Sequence, residues 1–252
     1  MERIMIILEK LKLIHRAFRY RYQADKGGIR FMMDHLHPGN TALDIGAHKG
    51  GYTYWIKKVV GTHGTVIAFE PQTKGALLLE KLFNGNVKVE HLAVSDIPGK
   101  RDLFIQPQLY AISFEASLNN KYENALKESV EVITLDEYCD QHKLTPQFIK
   151  IDVEGHEQQV IKGARKILAE AKPVLLIECE ARHIGEDAMK IIFLELINFG
   201  YKGFFFFDGK QLPIKEFRLN VHQDISLISK FRYANNFGFV PTATGHQLAA
   251  NS

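Results

Sequence analysis

Short apolar runs alternate with segments of helical periodicity along most of the chain. Apolar runs of four to eight residues bounded by turn residues are typical of strands buried in a parallel sheet, and apolar repeats every three to four residues are typical of amphipathic helices. Because the two kinds of segment alternate, the pattern predicts an α/β domain with a mostly parallel sheet and helices on both faces. The predicted strands are 41–45, 64–70, 87–94, 148–154, 173–179, 201–207 and 224–229.

Turn signals and polar stretches divide the rest of this region. Asp208-Gly209 is a strong hairpin signal after the aromatic strand 201–207, and it predicts a partner strand at 211–214. Residues 101–105 alternate enough to predict an added strand. The connection 107–126 is polar and long for a compact domain, a feature that usually marks functional or disordered segments. Its place between the third and fourth strands would let it cover a site there.

The first 38 residues are predicted to form a helical extension ahead of a single domain at 39–234. Up to about residue 22 the helix is amphipathic and strongly basic. Its apolar positions at helical spacing are Ile4, Ile7, Leu8, Leu11, Ile14 and Phe18. This face fits packing across the domain or against a second copy of the chain, and it also fits an interfacial helix on anionic lipid. Residues 235–252 lack periodicity, which predicts a loose tail.

Composition narrows the classes of protein. The 252 residues are 46% hydrophobic, which is ordinary for a globular core, and the net charge of +3 is too small to indicate nucleic acid. Cys139 and Cys179 lack the spacing of a zinc site and are predicted to be buried thiols in a reducing compartment. No apolar run approaches the roughly 20 residues that span a bilayer. We therefore expect a cytoplasmic protein, with peripheral membrane contact through the basic helix left open.

A glycine-rich turn leads from the first predicted strand into a helix. The turn reads Asp44-x-Gly46-x-x-x-Gly50, whereas the dinucleotide fingerprint has a glycine at the position of Asp44. A carboxylate there would repel a pyrophosphate and suit a ligand that carries an ammonium or sulfonium group. The next strand ends in Glu70-Pro71, where an acid is placed to accept both hydroxyls of a ribose. The alternative is that both acids only cap turns.

The third predicted strand ends in Ser95 and Asp96. A carboxylate at this strand tip can accept a hydrogen bond from the exocyclic amine of an adenine. Asp96 equally suits a turn, because Pro98-Gly99 follows it directly.

The strand at 148–154 carries three ionisable residues in an apolar context. Lys150, Asp152 and Glu154 share one side of an extended strand by its period of two. Such groups are costly unless they are paired or used, so they form either an ion network or part of a site. His183, after the next strand, would suit a base near neutral pH. Asp152, Glu154 and Glu178 supply oxygen ligands for a divalent cation, but no metal site is predicted.

These segments resemble the FkbM family of S-adenosylmethionine-dependent methyltransferases from about residue 41 to residue 229. The motif that is most specific to this family is Lys150-Ile151-Asp152-Val153-Glu154-Gly155 with Glu157, which follows a Thr-Leu-Asp segment. The motifs that carry the resemblance are Leu43-Asp44-Ile45-Gly46-Ala47 with Gly50, Phe69-Glu70-Pro71, Ala93-Val94-Ser95-Asp96, Thr134-Leu135-Asp136, and Lys150-Ile151-Asp152-Val153-Glu154-Gly155 with Glu157. The N-terminal helix and the tail lie outside the resemblance.

The resemblance implies a class I methyltransferase with a Rossmann-like sheet of seven strands, the last of them antiparallel. It also implies transfer of a methyl group from S-adenosylmethionine to a hydroxyl of a small molecule or saccharide. The implied cofactor-binding residues are Asp44, Gly46, Ala47, Gly50, Glu70, Pro71, Ser95, Asp96 and Asp152. The candidate catalytic residues are Lys150, Asp152, Glu154 and His183. The base stays open among the last three, and Lys150 would stabilise a developing oxyanion or pair with Glu154.

Three other functions remain open. A nucleotide-dependent oxidoreductase is disfavoured by Asp44 in place of the first fingerprint glycine. A catalytically silent fold that serves as a binding module is disfavoured by the intact set of glycines and acids. Methylation of nucleic acid is disfavoured because the chain lacks the Asn/Asp-Pro-Pro-Tyr/Phe motif and confines its basic charge largely to the N-terminus.

Overall fold

The structure is a computed structural model that describes residues 2–106, 116–119, 125–230 and 232–242. The strands are β1 (Thr41–Ile45), β2 (Thr65–Phe69), β3 (Val87–Glu90), β4 (Ala93–Val94), β5 (Gly99–Ile105), β6 (Ala116–Ser117), β7 (Leu126–Ile133), β8 (Phe148–Ile151), β9 (Val174–Glu178), β10 (Tyr201–Phe207), β11 (Lys210–Pro213) and β12 (Asn236–Pro241). The α-helices are α1 (Glu2–Arg19), α2 (Lys26–His35), α3 (Gly51–Val60), α4 (Thr73–Leu82), α5 (Leu135–His142), α6 (Glu157–Lys162), α7 (Arg165–Glu170), α8 (Ala181–Ile184), α9 (Glu186–Asn198) and α10 (Leu219–His222). A π-helical turn spans Tyr20–Ala24, and 3-10 helices span Ile214–Glu216 and Ile225–Lys230.

The main sheet has the strand order β11-β10-β12-β9-β8-β1-β2-β3. Neighbouring strands from β3 to β9 are parallel, and β12 runs antiparallel to both β9 and β10. The antiparallel last strand agrees with the prediction. The sheet has one strand more than the seven predicted, because the hairpin partner β11 pairs with β10 at the edge. The turn of this hairpin is Asp208-Gly209, as predicted.

Helices cover both faces of the main sheet, which explains why its strands read as continuous apolar runs. Leu43 and Ile149 point into a cluster with α5, α6 and α9, whereas Ala42 and Phe148 point into a cluster with α2 and α3. Cys139 and Cys179 are buried free thiols, as predicted.

The prediction of one strand at 87–94 is wrong. The chain leaves the main sheet after Glu90, and Ala93–Val94 pairs instead with β7 in a second sheet of order β4-β7-β5-β6. Ala93 and Val94 are as buried in their new surroundings as a core strand would be, so the apolar pattern does not mark the break. The added strand predicted at 101–105 belongs to this second sheet.

The prediction of a last strand at 224–229 and a loose tail from 235 is also wrong. Residues 225–230 form a 3-10 helix, and the last strand is β12, in the centre of the sheet. Four consecutive residues of β12 from Asn236 are buried, so the strand lacks the alternation that would identify it. Residues 243–252 of the predicted tail lie outside the described residues.

The helical segment after β8 is divided into α6 and α7 at Gly163. A Cβ atom at Gly163 would lie 2.1 Å from the carbonyl oxygen of Ser95, so only glycine allows this backbone approach. The approach fixes the end of β4 against α6.

The apolar face predicted for the N-terminal helix is not the face that packs on the domain. Leu13 and Ala17 are buried against α3, and the indole nitrogen of Trp55 donates to the carbonyl oxygen of Ala17 at 2.7 Å. The six apolar side chains at helical spacing are exposed instead, which contradicts packing across the domain and leaves the other two alternatives open. Among the residues that the structure describes, no helix has the length and hydropathy needed to cross a membrane.

Candidate functional site

The glycine turn after β1 is held against the ends of two neighbouring strands. The backbone N–H groups of Gly46 and Ala47 both donate to the carbonyl oxygen of Phe69, at 3.0 and 2.9 Å. Gly46 has φ +81°, and a Cβ atom there would lie 1.8 Å from the carbonyl oxygen of Asp152. Gly50 also has positive φ, but its Cβ position faces the ring of Phe83. Gly46 therefore serves backbone packing at the carboxyl edge of the sheet, and Gly50 leaves room for the ring of Phe83.

We expect Gly46→Ala to destabilise the fold by about 2 to 4 kcal/mol, because it combines a left-handed backbone with a clash against backbone atoms. Gly85→Ala is the matched control, since Gly85 has φ +73° and an added Cβ would meet no atom within 4 Å. Urea unfolding of both variants separates the two causes. Equal losses in the two variants would mean that the approach to Asp152 contributes nothing.

A cavity opens at the carboxyl ends of β1, β2 and β8, where ligands bind in open α/β sheets. This strand-end cavity encloses about 90 Å³ and opens to solvent. Five of the predicted site residues line it, and they are Gly46, Glu70, Pro71, Asp152 and Glu154. The other predicted residues, Asp44, Ala47, Gly50, Ser95, Asp96, Lys150 and His183, lie outside its lining.

Glu70 is the most buried acid in the wall of the strand-end cavity, with 4% of its surface exposed. Its carboxylate accepts from the backbone N–H groups of His48 at 2.8 Å and Gln72 at 2.9 Å, one on each oxygen. Burial raises the pKa of Glu70 to about 8, against these two hydrogen bonds, which favour the ionised form. Each oxygen keeps a second lone pair that a ligand hydroxyl can use.

Asp44 lies beneath the turn and does not reach the strand-end cavity. Its carboxylate accepts from the hydroxyl of Thr53 at 2.5 Å, in the first turns of α3. Burial raises the pKa of Asp44 to about 6, although the Thr53 hydrogen bond and the charge of Lys150 oppose the shift. The residue therefore joins β1 to α3 directly under the site.

Ser95 and Asp96 take part in a polar cluster behind the cavity wall. Asp96 pairs with Arg101 at 3.4 Å, and the hydroxyl of Ser95 lies 2.8 Å from Nε2 of His156. The Nδ1 atom of His156 is buried and lacks a hydrogen-bond partner among the described residues, although the ring lines the cavity. Burial lowers the pKa of His156 to about 4, so the ring is neutral. Sequence reasoning missed His156, because no local motif marks which residue after β8 faces the cavity.

The four candidate catalytic residues form two close pairs. Lys150 is fully buried, and its Nζ atom lies 3.6 Å from Oδ2 of Asp152. Nδ1 of His183 lies 3.4 Å from Oε2 of Glu154. The prediction that Lys150, Asp152 and Glu154 share one side of a strand is wrong beyond Ile151. β8 ends at that residue, and Glu154 has φ +52°.

An acidic cluster adjoins the cavity on the side of β9. We define it as the lining of a small second hollow, formed by Asp152, Glu154, Glu157, Glu178, Glu180 and His183. Asp152 and Glu154 line both this hollow and the strand-end cavity. Within the described part of the chain, no group of three or more His, Cys, Asp or Glu side chains has the arrangement to hold a metal ion.

The described part of the connection between β5 and β7 covers the strand-end cavity. Ala116, Ser117 and Leu118 line the cavity. The hydroxyl of Ser117 donates to the carbonyl oxygen of Glu154 at 3.0 Å, and the amide of Asn119 donates to that of Gly155 at 2.8 Å. The placement predicted for this connection is found in residues 116–119, while 107–115 and 120–124 lie outside the described residues.

Comparison with known proteins identifies the family. The model of the methyltransferase FkbM domain matches residues 44–207, which is well over half of the chain. The chain belongs to the FkbM methyltransferase family. This confirms the resemblance carried by the sequence motifs, and S-adenosylmethionine is the methyl donor of that family.

Solved structures agree with the fold. Methyltransferase FkbM from Methylobacillus flagellatus has 15% sequence identity and a TM-score of 0.50 over 92% of this chain, which confirms the class I α/β fold. The chain spans about half of that protein, 54% of its length. Other similar structures are Aeropyrum pernix fibrillarin with bound S-adenosyl-L-methionine and a Bacillus cereus O-methyltransferase in complex with SAH. Fibrillarin has 10% identity and a TM-score of 0.47, and the match covers 82% of this chain and 68% of fibrillarin. The O-methyltransferase has 12% identity and a TM-score of 0.46, and the match covers 93% of this chain and 90% of that protein. A search of curated proteins gave no significant match.

Proposed function

We propose that the protein transfers a methyl group from S-adenosylmethionine to a hydroxyl group of a small molecule or saccharide. The observation that carries this proposal is the position of Asp152. This acid lies, with Glu154, at the boundary between the strand-end cavity, which suits the donor, and the acidic cluster, which suits the chemistry at an acceptor hydroxyl.

The polar groups of the strand-end cavity fit a nucleoside-containing donor. Glu70 offers two oxygens for the ribose hydroxyls, and the unpartnered Nδ1 of the neutral His156 offers a hydrogen-bonding atom that a ligand can satisfy. The enclosed volume of about 90 Å³ is smaller than the several hundred Å³ that is usual for such ligands. We therefore expect the covering residues 116–118 to shift outward when the donor binds.

The protein residues then hold the acceptor and remove its proton. The donor supplies an activated methyl group on a sulfonium, so orientation and a base are the main requirements. Asp152 lines the cavity, and its charge is balanced by the ammonium of Lys150 at 3.6 Å. The Glu154–His183 pair, 3.4 Å apart, can take up the proton and pass it toward solvent, because both side chains are partly exposed.

An aromatic groove of about 500 Å³ supports a bulky acceptor. It is lined by Tyr22, by Phe206 and Phe207 of the hairpin, and by Asn235. The amide of Asn235 donates to Glu178 of the acidic cluster at 2.8 Å, so the groove borders that cluster. Aromatic faces beside side-chain amides suit a sugar ring or another polar cyclic compound.

The decisive test is calorimetric titration with S-adenosylmethionine and, separately, with NAD. We expect the first to bind and the second not to bind. At a pH above about 8, where Glu70 is ionised, Glu70→Ala is expected to weaken donor binding by about 10- to 100-fold, because two ribose hydroxyls lose a charged acceptor. Since the pKa of Glu70 is about 8, the affinity of the native protein should rise with pH up to that value.

Glu80→Ala is the control for this experiment, because Glu80 is an exposed acid on α4. It should leave donor affinity unchanged, and thermal unfolding checks that Glu70→Ala stays folded. Binding of NAD alone would favour an oxidoreductase. Binding of neither compound would favour a catalytically silent module.

A further inference from the structure

Helix α1 presents an apolar stripe to solvent along its length. The stripe consists of Ile4, Ile7, Leu8, Leu11, Ile14 and Phe18, and each of these side chains is between 41% and 64% exposed. Their spacing of three and four residues places them on one side of the helix. Monomeric proteins rarely leave so many large apolar side chains contiguous on the surface, so the stripe indicates an interaction surface.

Basic residues border the stripe, and acids are scarce there. Lys10, Lys12 and Arg19 are exposed beside it. Among the α1 side chains that the structure describes, Glu9 is the one acid, and it pairs with Lys12 at 2.7 Å. An apolar stripe with cationic borders is the pattern of a helix that lies in the interface of an anionic bilayer.

The opposite side of α1 packs against the domain, so the helix is an integral part of the fold. Leu13 and Ala17 are buried, and the guanidinium of Arg16 donates to the carbonyl oxygen of Lys49 at 2.7 Å. Lys49 belongs to the glycine turn, whose neighbour His48 lines the strand-end cavity. A surface that binds the stripe would therefore sit on a helix that contacts the glycine turn beside the site.

We propose that the α1 stripe binds the surface of an anionic phospholipid bilayer. The charge pattern decides between this partner and a second copy of the chain. Pairing two stripes would bring cations together without acids to offset them, whereas anionic headgroups offset all of them. The helix is not of a kind that crosses a membrane, so it would lie in the plane of the surface. This inference does not depend on the proposed methyl transfer.

Vesicle co-sedimentation of the full chain tests the proposal. We expect binding to vesicles of mixed phosphatidylcholine and phosphatidylglycerol, and at least about tenfold weaker partition into phosphatidylcholine alone. The double variant Ile7→Ser, Leu11→Ser and the double variant Lys10→Gln, Arg19→Gln should each lower partition by about tenfold or more. Only the charge variant should also lose most of its salt dependence.

The matched control is Ile191→Ser with Leu194→Ser on α9, where 50% and 59% of the side chains are exposed. It should bind vesicles as the native chain does. Equal loss in the control, or equal binding to neutral and anionic vesicles, would overturn the proposal. So would a dimer, seen by light scattering, that the Ile7 and Leu11 substitutions dissociate, because the stripe would then be a self-association surface.

Discussion

Replacing Asp152 with asparagine is expected to lower kcat by at least about 100-fold, while the protein stays folded and still binds the methyl donor. Asparagine keeps the shape of the side chain but can neither accept a proton nor carry the charge that faces Lys150. Asp152 is one of two acids, with Glu154, that line both the strand-end cavity and the acidic cluster, so its charge acts where donor and acceptor meet. The measurement is release of S-adenosylhomocysteine with an acceptor found by screening hydroxylated compounds and saccharides.

Asp140→Asn provides the control for this experiment. Asp140 is an exposed acid on α5, paired with Lys166 at 2.7 Å and remote from the cavity lining. Its loss should leave kcat unchanged. Retained turnover in Asp152→Asn would remove Asp152 from the chemistry, and the Glu154–His183 pair would become the candidate for proton removal.

The residues that could be predicted are those with a local signal. Glu70 and Asp152 each follow a buried strand directly, and strands of a parallel sheet bring their carboxyl ends to one edge. Knowing that both acids lie at strand ends is therefore enough to place them in one cavity. The glycine turn could be located for the same reason, but not that a Cβ atom at Gly46 would meet backbone and one at Gly50 the ring of Phe83.

The residues that could not be predicted depend on tertiary contacts. His156 reaches the cavity because Gly163 lets α6 approach the backbone of Ser95, a contact between segments more than 60 residues apart. β12 escaped prediction because a strand in the centre of a sheet is buried on both sides and shows no alternation. The exposed stripe of α1 has the same period as a buried one, so the sequence alone could not tell which face packs.

Replacing Lys150 with methionine is expected to cost about 3 to 5 kcal/mol of folding stability at neutral pH. The ammonium is fully buried, and removing it leaves several buried acids without their balancing charge. Burial alone would lower the pKa of Lys150, but the carboxylates of Asp152, Glu178, Asp25 and Asp44 outweigh it and raise that pKa above its ordinary value. The stabilisation by Lys150 is therefore present across the neutral range and is lost only as the pH rises through this raised pKa.

The stability cost of Lys150→Met should depend on pH in a defined direction. Lys150 lowers the pKa of Asp44 and Glu178, both of which burial has raised, Asp44 to about 6. Without the cation these acids hold their protons to higher pH when folded than when unfolded, so the variant loses stability as pH rises from about 4 through 6 and above. Urea unfolding at several pH values measures this loss of stability.

The control Lys166→Met removes an exposed ammonium and should cost little folding stability at any pH. If the loss of folding stability in Lys150→Met stayed constant with pH, the packing of the Lys150 side chain, and not its charge, would be what stabilises this part of the site.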